Sequence, residues 1–234
     1  MYAQPPYRTR REAGERLAEA LADYANRSAI VLGIPRGGVA VGVPIALALN
    51  AELDTIVLRK LPIPWEPEAG FGAITAEGDI ILNEGMVRRL GLTREVIERQ
   101  AERVRAEVER RARAYRGDRP FPDLGGRPVI VVDDGLATGY TMIAALQSAR
   151  RRGAQELVCA VPVSPRDSLA AVRPWADRVV CLVTSEVYPF AVASFYREFP
   201  DMSDEEVREL LREFREAGQS GADRESGADR GAKG

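Results

Sequence analysis

One segment, Val129 to Met142, constrains the fold of this chain more than any other part of the sequence. It opens with four β-branched residues, Val129 to Val132, and such a run predicts a buried strand. The adjacent acids Asp133 and Asp134 end the strand, and a loop of small and hydroxyl residues leads into an apolar helical pattern. Strand and helix patterns alternate along the rest of the chain in the same way. We therefore predict an α/β fold, a parallel twisted sheet flanked by helices.

The loop in this segment has the features of a phosphate site. A loop that opens into a helix presents free backbone N–H groups and the positive end of the helix dipole, which suit an anion. Thr138 and Thr141 can add hydroxyl donors. Asp133 and Asp134 would repel a phosphate on contact, so we expect them to hold something attached to it, such as sugar hydroxyls or a hard cation. The segment therefore predicts a site for a sugar phosphate.

The same segment resembles the motif with which type I phosphoribosyltransferases bind 5-phosphoribosyl-1-pyrophosphate (PRPP). In that family two acids contact the ribose hydroxyls. The resemblance implies this role for Asp133 and Asp134, with an indirect hold on a metal through PRPP or water, and it implies that the loop from Ala137 to Thr141 holds the 5-phosphate. Without the resemblance, the residues also fit an ordinary strand–turn–helix connection with a capping threonine. The implied PRPP-binding residues of this segment are Gly135, Leu136, Ala137, Thr138, Gly139, Tyr140 and Thr141.

Composition excludes several kinds of site. The 234 residues contain no histidine, which rules out Ser-His-Asp triads, Cys-His pairs and histidine-ligated zinc. Any metal should be a hard cation on oxygen ligands, with Mg²⁺ the first candidate. The two cysteines, Cys159 and Cys181, lie in apolar strand-like runs, so we expect buried thiols rather than a disulfide or a nucleophile. A net charge of −2 and the lack of a long apolar run favour a cytoplasmic protein with neither nucleic acid nor membrane as a partner.

The order of the patterns predicts one domain over residues 1–217, followed by a disordered Gly- and charge-rich tail over residues 218–234. Helices are predicted at residues 8–24, 39–49, 93–115, about 140–151, from 165, and 204–216. Strands are predicted at residues 29–32, 53–58, 127–132, 157–163 and 178–183, with a hairpin formed by residues 73–76 and 79–82. Along the helix at 93–115, the i,i+4 pairs Glu95–Arg99, Glu107–Arg111 and Glu109–Arg113 favour a solvated face over a nucleic-acid surface.

A second turn, Gly33 to Gly38, also joins a predicted buried strand to a helix. Arg36 supplies a fixed cation, and Gly37 and Gly38 let backbone N–H groups approach an anion closely. Alone, this pattern fits a tight turn with a surface arginine. Beside the PRPP motif, the position matches the pyrophosphate loop of the same family, which assigns Arg36, Gly37 and Gly38 to pyrophosphate.

A third candidate is the pair Arg59 and Lys60, which we predict at the end of a strand and before a Pro/Gly loop at residues 61–72. This loop resembles the flexible catalytic loop of type I phosphoribosyltransferases, and the Arg-Lys pair is similar to that of orotate phosphoribosyltransferases. The resemblance implies that Arg59 binds PRPP and that Lys60 and Arg36 stabilise the leaving pyrophosphate. Surface charge at a strand end is the alternative.

The part of the fold that reads the base, the hood, is expected near both chain ends. Its candidates are the N-terminal helix and residues 185–199, where an aromatic side chain can stack on a base. Aromatic residues near a C-terminus also serve as packing groups, so both roles stay open. The aromatics of the second segment are Tyr188, Phe190, Phe195, Tyr196 and Phe199.

From about residue 8 to residue 211 the chain looks most like the uncharacterised bacterial "predicted phosphoribosyltransferase" group. The resemblance implies Mg²⁺-dependent transfer of the 5-phosphoribosyl group from PRPP to a nucleobase or related nitrogen acceptor, with release of pyrophosphate, by a homodimer. Ala137 stands where the 6-oxopurine enzymes carry an acid, which counts against hypoxanthine and guanine. Two alternatives stay open: a PRPP-sensing regulator of the same fold, and a PRPP hydrolase without a base acceptor.

Overall fold

A computed structural model describes residues 5–228 of the chain, and the side chains up to residue 218. The helices are α1 (Arg10–Ala20), α2 (Gly37–Leu49), α3 (Glu84–Leu90), α4 (Arg94–Arg116), α5 (Tyr140–Arg151), α6 (Arg166–Val172) and α7 (Asp204–Ala228). The strands are β1 (Ile30–Gly33), β2 (Glu52–Thr55), β3 (Leu58–Ile63), β4 (Glu66–Thr75), β5 (Ile80–Leu82), β6 (Pro128–Val132), β7 (Glu156–Pro165) and β8 (Arg178–Ser185). Short 3₁₀ helices cover Ala22–Tyr24, Arg173–Trp175 and Val192–Phe195.

The main sheet has five parallel strands in the order β2-β1-β6-β7-β8. The chain leaves β1 toward β2 on one side and later returns to β6 on the other, so the order reverses between β1 and β6. In open α/β sheets, ligands bind at such a reversal, beyond the carboxyl ends of the strands. Gly33 and Val132, the last residues of β1 and β6, are register partners there. The predicted α/β fold is confirmed, and the position where such sheets bind ligands lies directly after these two residues.

Alternating residues of the buried strands face two different cores. Val31, Ile130 and Val158 face a core formed with α1, α2, α4 and α7. Their neighbours Ile30 and Val129 face a second core formed with α5 and α6. Because both faces are covered by helices, the central strands are apolar throughout, which explains the continuous apolar run of β6.

The stretch at residues 61–72 is not the loop that the prolines predict. It forms most of the antiparallel hairpin β3–β4, which carries on into the predicted hairpin β4–β5. Leu61, Ile63 and Phe71 are buried beneath α3 and α4, and this buried face holds the strands together. Pro62 is tolerated because the register shifts on both sides of it, as at a β-bulge. Only Pro64 and Trp65 lie between the two strands.

The segment before α1 and the segment after β8 meet beside the main sheet. Tyr7 and Tyr196 form a parallel bridge, in which the Tyr7 N–H donates to the Phe195 carbonyl at 3.1 Å and the Arg197 N–H donates to the Tyr7 carbonyl at 2.9 Å. Helix α1 then packs on α2 so closely that a Cβ on Gly14 would lie 2.4 Å from the Val41 carbonyl oxygen. The N-terminal helix and the segment after β8, the two candidates for the hood, thus lie next to each other, and their role as a hood stays a prediction.

Several predicted boundaries need correction. The first helix ends at Ala20, before a separate 3₁₀ turn, and β2 ends at Thr55, so Leu58 belongs to β3. The last helix does not end near Glu216 but continues to Ala228. The stretch predicted to be disordered is therefore helical up to that residue, and residues 229–234 lie outside the described residues.

The three i,i+4 pairs predicted along α4 are not its ion pairs: Glu107 pairs with Arg59 and Arg111 pairs with Asp204.

Cys159 and Cys181 are free thiols, as predicted, and burial raises the pKa of both. Within residues 5–228, no helix combines the length and the apolar character that crossing a membrane requires.

Candidate active site

The acid pair follows β6 and lies directly against the start of α2. Asp133 accepts a hydrogen bond from the Asp134 backbone N–H at 2.9 Å. A Cβ on Gly37 would lie 1.9 Å from Asp134 Oδ2, and a Cβ on Gly38 would lie 2.4 Å from the Val132 carbonyl oxygen. Only residues without a side chain allow this approach. The structure thus brings together the two loops that the sequence assigned to ribose and to pyrophosphate.

The Asp133 carboxyl group is buried beside a second carboxylate. Burial, followed by the neighbouring negative charge of Asp134, raises the pKa of Asp133 well above its usual value. Such a pair favours a ligand that donates hydroxyl groups or brings positive charge. Ribose hydroxyls and a hard cation both meet this requirement.

The second loop joins the acids to α5. Gly135 is packed so tightly that a Cβ would lie 2.7 Å from Val192 Cγ1, and the N–H of buried Leu136 donates to the Val163 carbonyl at 3.0 Å. Gly139 ends the loop with φ of +80°, a conformation that favours glycine. Gly135 and Leu136 therefore anchor the loop, because the only polar group of Leu136 that could donate to a phosphate is already used.

The rest of the loop is open to solvent at the helix start. Ala137, Thr138, Tyr140 and Thr141 are exposed. Helix α5 has no acidic residue in its first turn, and its first N–H groups have no acceptor within the helix. Ser168 Oγ donates to the Ala137 carbonyl at 2.7 Å and holds the loop from α6. Exposed hydroxyls thus lie beside the N–H groups of a helix start, an arrangement that suits an anion.

Arg36 is exposed immediately before α2. The peptide bond between Pro35 and Arg36 is cis. The Gly38 N–H donates to the Ile34 carbonyl at 3.0 Å, which closes the predicted tight turn. Arg36 is thus held at the mouth of the crevice, with its side chain in solvent.

Arg59 and Lys60 are placed differently from the prediction. They lie within β3, not at the end of a strand before a loop. Arg59 Nη2 is 3.4 Å from Glu107 Oε2, and Lys60 Nζ donates to the Glu68 carbonyl within the hairpin. None of the hydrogen bonds and ion pairs described between residues 5 and 228 joins either cation to the acid pair or to the α5 loop. Their roles toward PRPP stay predictions.

Three residues near the chain ends complete the site, and the sequence analysis assigned none of them a contact with the acids. Arg10 Nε is 2.8 Å from Asp134 Oδ2, and the Tyr196 hydroxyl donates to the Asp134 carbonyl at 2.7 Å. The Phe199 ring lies under the Arg10 guanidinium. Arg10 is one of three arginines within four residues, so no local signal separates it from its neighbours.

The aromatic candidates of the hood divide into two groups. Phe195 and Tyr196 are buried packing residues, whereas Tyr188 is 94% exposed. Phe190 packs against Phe195 with ring centroids 5.5 Å apart. Of the five candidates, Tyr188 is therefore the most exposed, while Phe190 and Phe199 are half-buried.

The donor set fits Mg²⁺ carried by the ligand. Among residues 5–228 there is no cluster of three or more acidic, histidine or cysteine side chains that could hold a metal alone. Asp133 and Asp134 provide carboxylate oxygens, and Mg²⁺ commonly binds through one or two carboxylates together with substrate phosphates. The acid pair thus fits an ion that arrives with a phosphorylated ligand.

Known proteins resemble this chain in sequence and in fold. Residues 73–195 match the family model for the phosphoribosyl transferase domain. Two proteins from different strains of Mycobacterium tuberculosis, each named "Putative phosphoribosyl transferase", are 43% identical over 213 residues, which cover 89% of this chain and 48% of theirs. The chain therefore spans about half the length of these curated relatives. The crystal structure of TT1426 from Thermus thermophilus matches with a TM-score of 0.80 and 38% identity, and it covers 89% of this chain and 98% of that one.

Proposed function

Because this chain belongs to the phosphoribosyl transferase family, we propose that it moves the 5-phosphoribosyl group of PRPP to a nitrogen of a nucleobase-like acceptor and releases pyrophosphate. The observation that carries the proposal is the acid pair Asp133–Asp134 at the reversal of the sheet, between the starts of α2 and α5. The exposed start of α5 suits one phosphate and the exposed cation Arg36 before α2 suits another, so with the two carboxylates they match a ribose that carries phosphate at both ends.

The reaction would be a substitution at C1 of the ribose. The acceptor nitrogen donates its lone pair to C1, the bond from C1 to the pyrophosphate oxygen breaks, and its electron pair leaves with pyrophosphate. Positive charge develops on the sugar as this bond loosens. Asp133 and Asp134 would stabilise that charge and hold the ribose hydroxyls. Mg²⁺, when bound with PRPP, would neutralise charge on the pyrophosphate.

The pyrophosphate leaving group needs positive charge at the end of the site that lies opposite the α5 loop. Arg36 is exposed at the start of α2, a helix without an acidic residue in its first turn, and both features favour pyrophosphate there. Lys60 would add a cation if the β3–β4 hairpin approached the crevice during turnover. The mechanism thus uses positioning and charge, the means left to a chain without histidine.

Turnover with a panel of bases tests this function. We expect Mg²⁺-PRPP and one base to yield pyrophosphate and a new nucleotide, identified by mass spectrometry. Pyrophosphate release without a base adduct would instead indicate a hydrolase. PRPP binding without turnover across the panel would favour a PRPP sensor.

The Asp134→Asn variant tests the central residue. The change keeps the size of the side chain but removes its charge, so we expect an intact fold and a loss of turnover on the order of 100-fold. Asp118→Asn is the matched control, since Asp118 is an exposed turn residue. Steady-state rates for both variants, with circular dichroism as the check on folding, measure the effect. Unchanged turnover in Asp134→Asn would remove the assignment of Asp134.

The surface of α4 favours the enzyme over a regulator that binds nucleic acid. A regulator of that kind needs a contiguous basic face. The exposed side chains of α4 instead carry both signs, and this mixture is typical of a solvated helix face. These side chains are Arg94, Glu95, Glu98, Arg99, Glu102, Arg103, Arg110 and Arg113.

A further inference from the structure

Arg10 is held on three sides at the acid pair. Its Nε donates to Asp134 Oδ2 at 2.8 Å, and its Nη1 donates to the Pro200 carbonyl at 2.8 Å. The guanidinium carbon lies 3.7 Å from the centroid of the Phe199 ring. The Arg10 side chain is only 11% exposed, whereas that of the neighbouring Arg11 is 81% exposed. An arginine so fully engaged at the start of α1 has a defined position.

We infer that Arg10 is a positioning residue that holds the Asp134 carboxylate in the orientation needed to accept a ribose hydroxyl of PRPP. The inference rests on the proposed function and extends it to the N-terminal helix. Arg10 acts through Asp134 and not on the reacting atoms.

The geometry assigns one carboxylate oxygen to each partner. Arg10 bonds to Oδ2 of Asp134, so Oδ1 is the oxygen that remains for a hydroxyl. The Tyr196 hydroxyl fixes the backbone carbonyl of the same residue. The side chain of Asp134 is therefore held by Arg10 and its backbone carbonyl by Tyr196. The rotation of the carboxylate is thus restricted before PRPP arrives. A group that is already oriented loses less entropy when it binds its ligand.

The surroundings of Arg10 favour positioning over direct capture of phosphate. Two of its donor directions are used, by Asp134 and by Pro200, and the Phe199 ring covers one face of the guanidinium. Lysine could keep the charge but not the planar pair of bonds, because a guanidinium binds along two fixed directions. The lysine variant therefore separates the role of charge from that of geometry.

The binding of two ligands to Arg10 variants distinguishes a positioning role of Arg10 from a general loss of folding. Isothermal titration of wild type, Arg10→Gln, Arg10→Lys and the control Arg11→Gln would use Mg²⁺-PRPP and Mg²⁺-pyrophosphate. Pyrophosphate has no ribose, so its binding lacks the hydroxyl contact assigned to Asp134 and keeps only a contact through Mg²⁺. We expect Arg10→Gln to weaken PRPP binding about tenfold or more, the effect typical of losing an orienting partner, and to leave pyrophosphate binding unchanged. Arg10→Lys should restore part of the loss, and Arg11→Gln should match wild type.

Other outcomes overturn the inference in distinct ways. Equal weakening of both ligands would mean that Arg10 contacts the anion or supports the fold as a whole. Tighter PRPP binding by Arg10→Gln would mean that Arg10 blocks the site. An unchanged PRPP affinity would remove any role for Arg10. Wild-type protein that binds pyrophosphate but not PRPP would overturn the proposed function itself, and this inference with it.

Discussion

At the scale of single residues, the candidate site depends on two adjacent glycines, Gly37 and Gly38. A side chain added at each would meet a different kind of atom. A Cβ on Gly38 would lie 2.4 Å from the Val132 carbonyl oxygen, part of a strand that cannot move. A Cβ on Gly37 would lie 1.9 Å from Asp134 Oδ2, an atom at the end of a side chain and not part of the backbone. The same substitution should therefore have different consequences at adjacent positions.

We expect Gly38→Ala to lower the free energy of unfolding by about 1–3 kcal/mol, the usual range for overpacking. Gly37→Ala should cost less stability than Gly38→Ala but weaken PRPP binding, because it displaces the Asp134 carboxylate from Arg10. Gly85→Ala is the control, since a Cβ there meets Asn83 Oδ1 at an ordinary 3.5 Å. Urea unfolding and PRPP titration of the three variants measure both quantities. Equal behaviour of Gly37→Ala and Gly38→Ala would contradict the distinction.

At the scale of elements, the β3–β4 hairpin is fixed by its buried face and not by its tip. Phe71 is fully buried between the hairpin and α3–α4, whereas Trp65 at the turn is 63% exposed. We expect Phe71→Ala to lower the free energy of unfolding by about 3–5 kcal/mol, because it leaves a cavity. Trp65→Ala should change it by no more than about 0.5 kcal/mol. Urea denaturation of both variants checks the prediction, and a large loss in Trp65→Ala would show that the tip is packed.

At the scale of the whole molecule, a polar contact at the first residue of α7 joins this helix to α4. The Tyr115 hydroxyl donates to Asp204 Oδ1, and Arg111 Nη2 lies 3.3 Å from the same oxygen. Burial, and then the hydrogen bond to Asp204, raises the pKa of Tyr115 from 10.0 to about 12. The folded chain therefore keeps this proton at a pH where the unfolded chain loses it.

This contact predicts a loss of stability in alkali. Above pH 10 the unfolded state binds fewer protons than the folded state, so the free energy of unfolding should fall as pH rises from about 10 to about 12. Tyr115→Phe should cost about 1 kcal/mol at pH 7 by removing a hydrogen bond, and the decline above pH 10 should become shallower. Urea unfolding between pH 7 and pH 11 measures both slopes. Parallel curves for the two proteins would show that Tyr115 does not cause the decline.

Local patterns in the sequence were sufficient to predict many of the strands, loops and helices of this protein. The run Val129 to Val132, the acids after it and the helix start at Tyr140 encode a strand, a loop and a helix within a few residues. The caps of later helices are equally local, as in the bond from Glu206 N–H to Ser203 Oγ. Such features depend on hydrophobic period and on nearby hydrogen bonds, so they can be predicted without knowing the fold.

The contacts that complete the site were decided by the tertiary structure alone. Arg10 and Asp134 are 124 residues apart, and nothing near Arg10 in the sequence marks its partner. The hairpin at residues 61–72 was obscured by its prolines, because burial of Leu61 and Phe71 against α3 and α4 outweighed local preference. The sequence by itself determined the α/β fold and the acid pair. Only the packing of distant segments placed an arginine and two aromatic rings around that pair, because such contacts depend on chain topology and not on neighbouring residues.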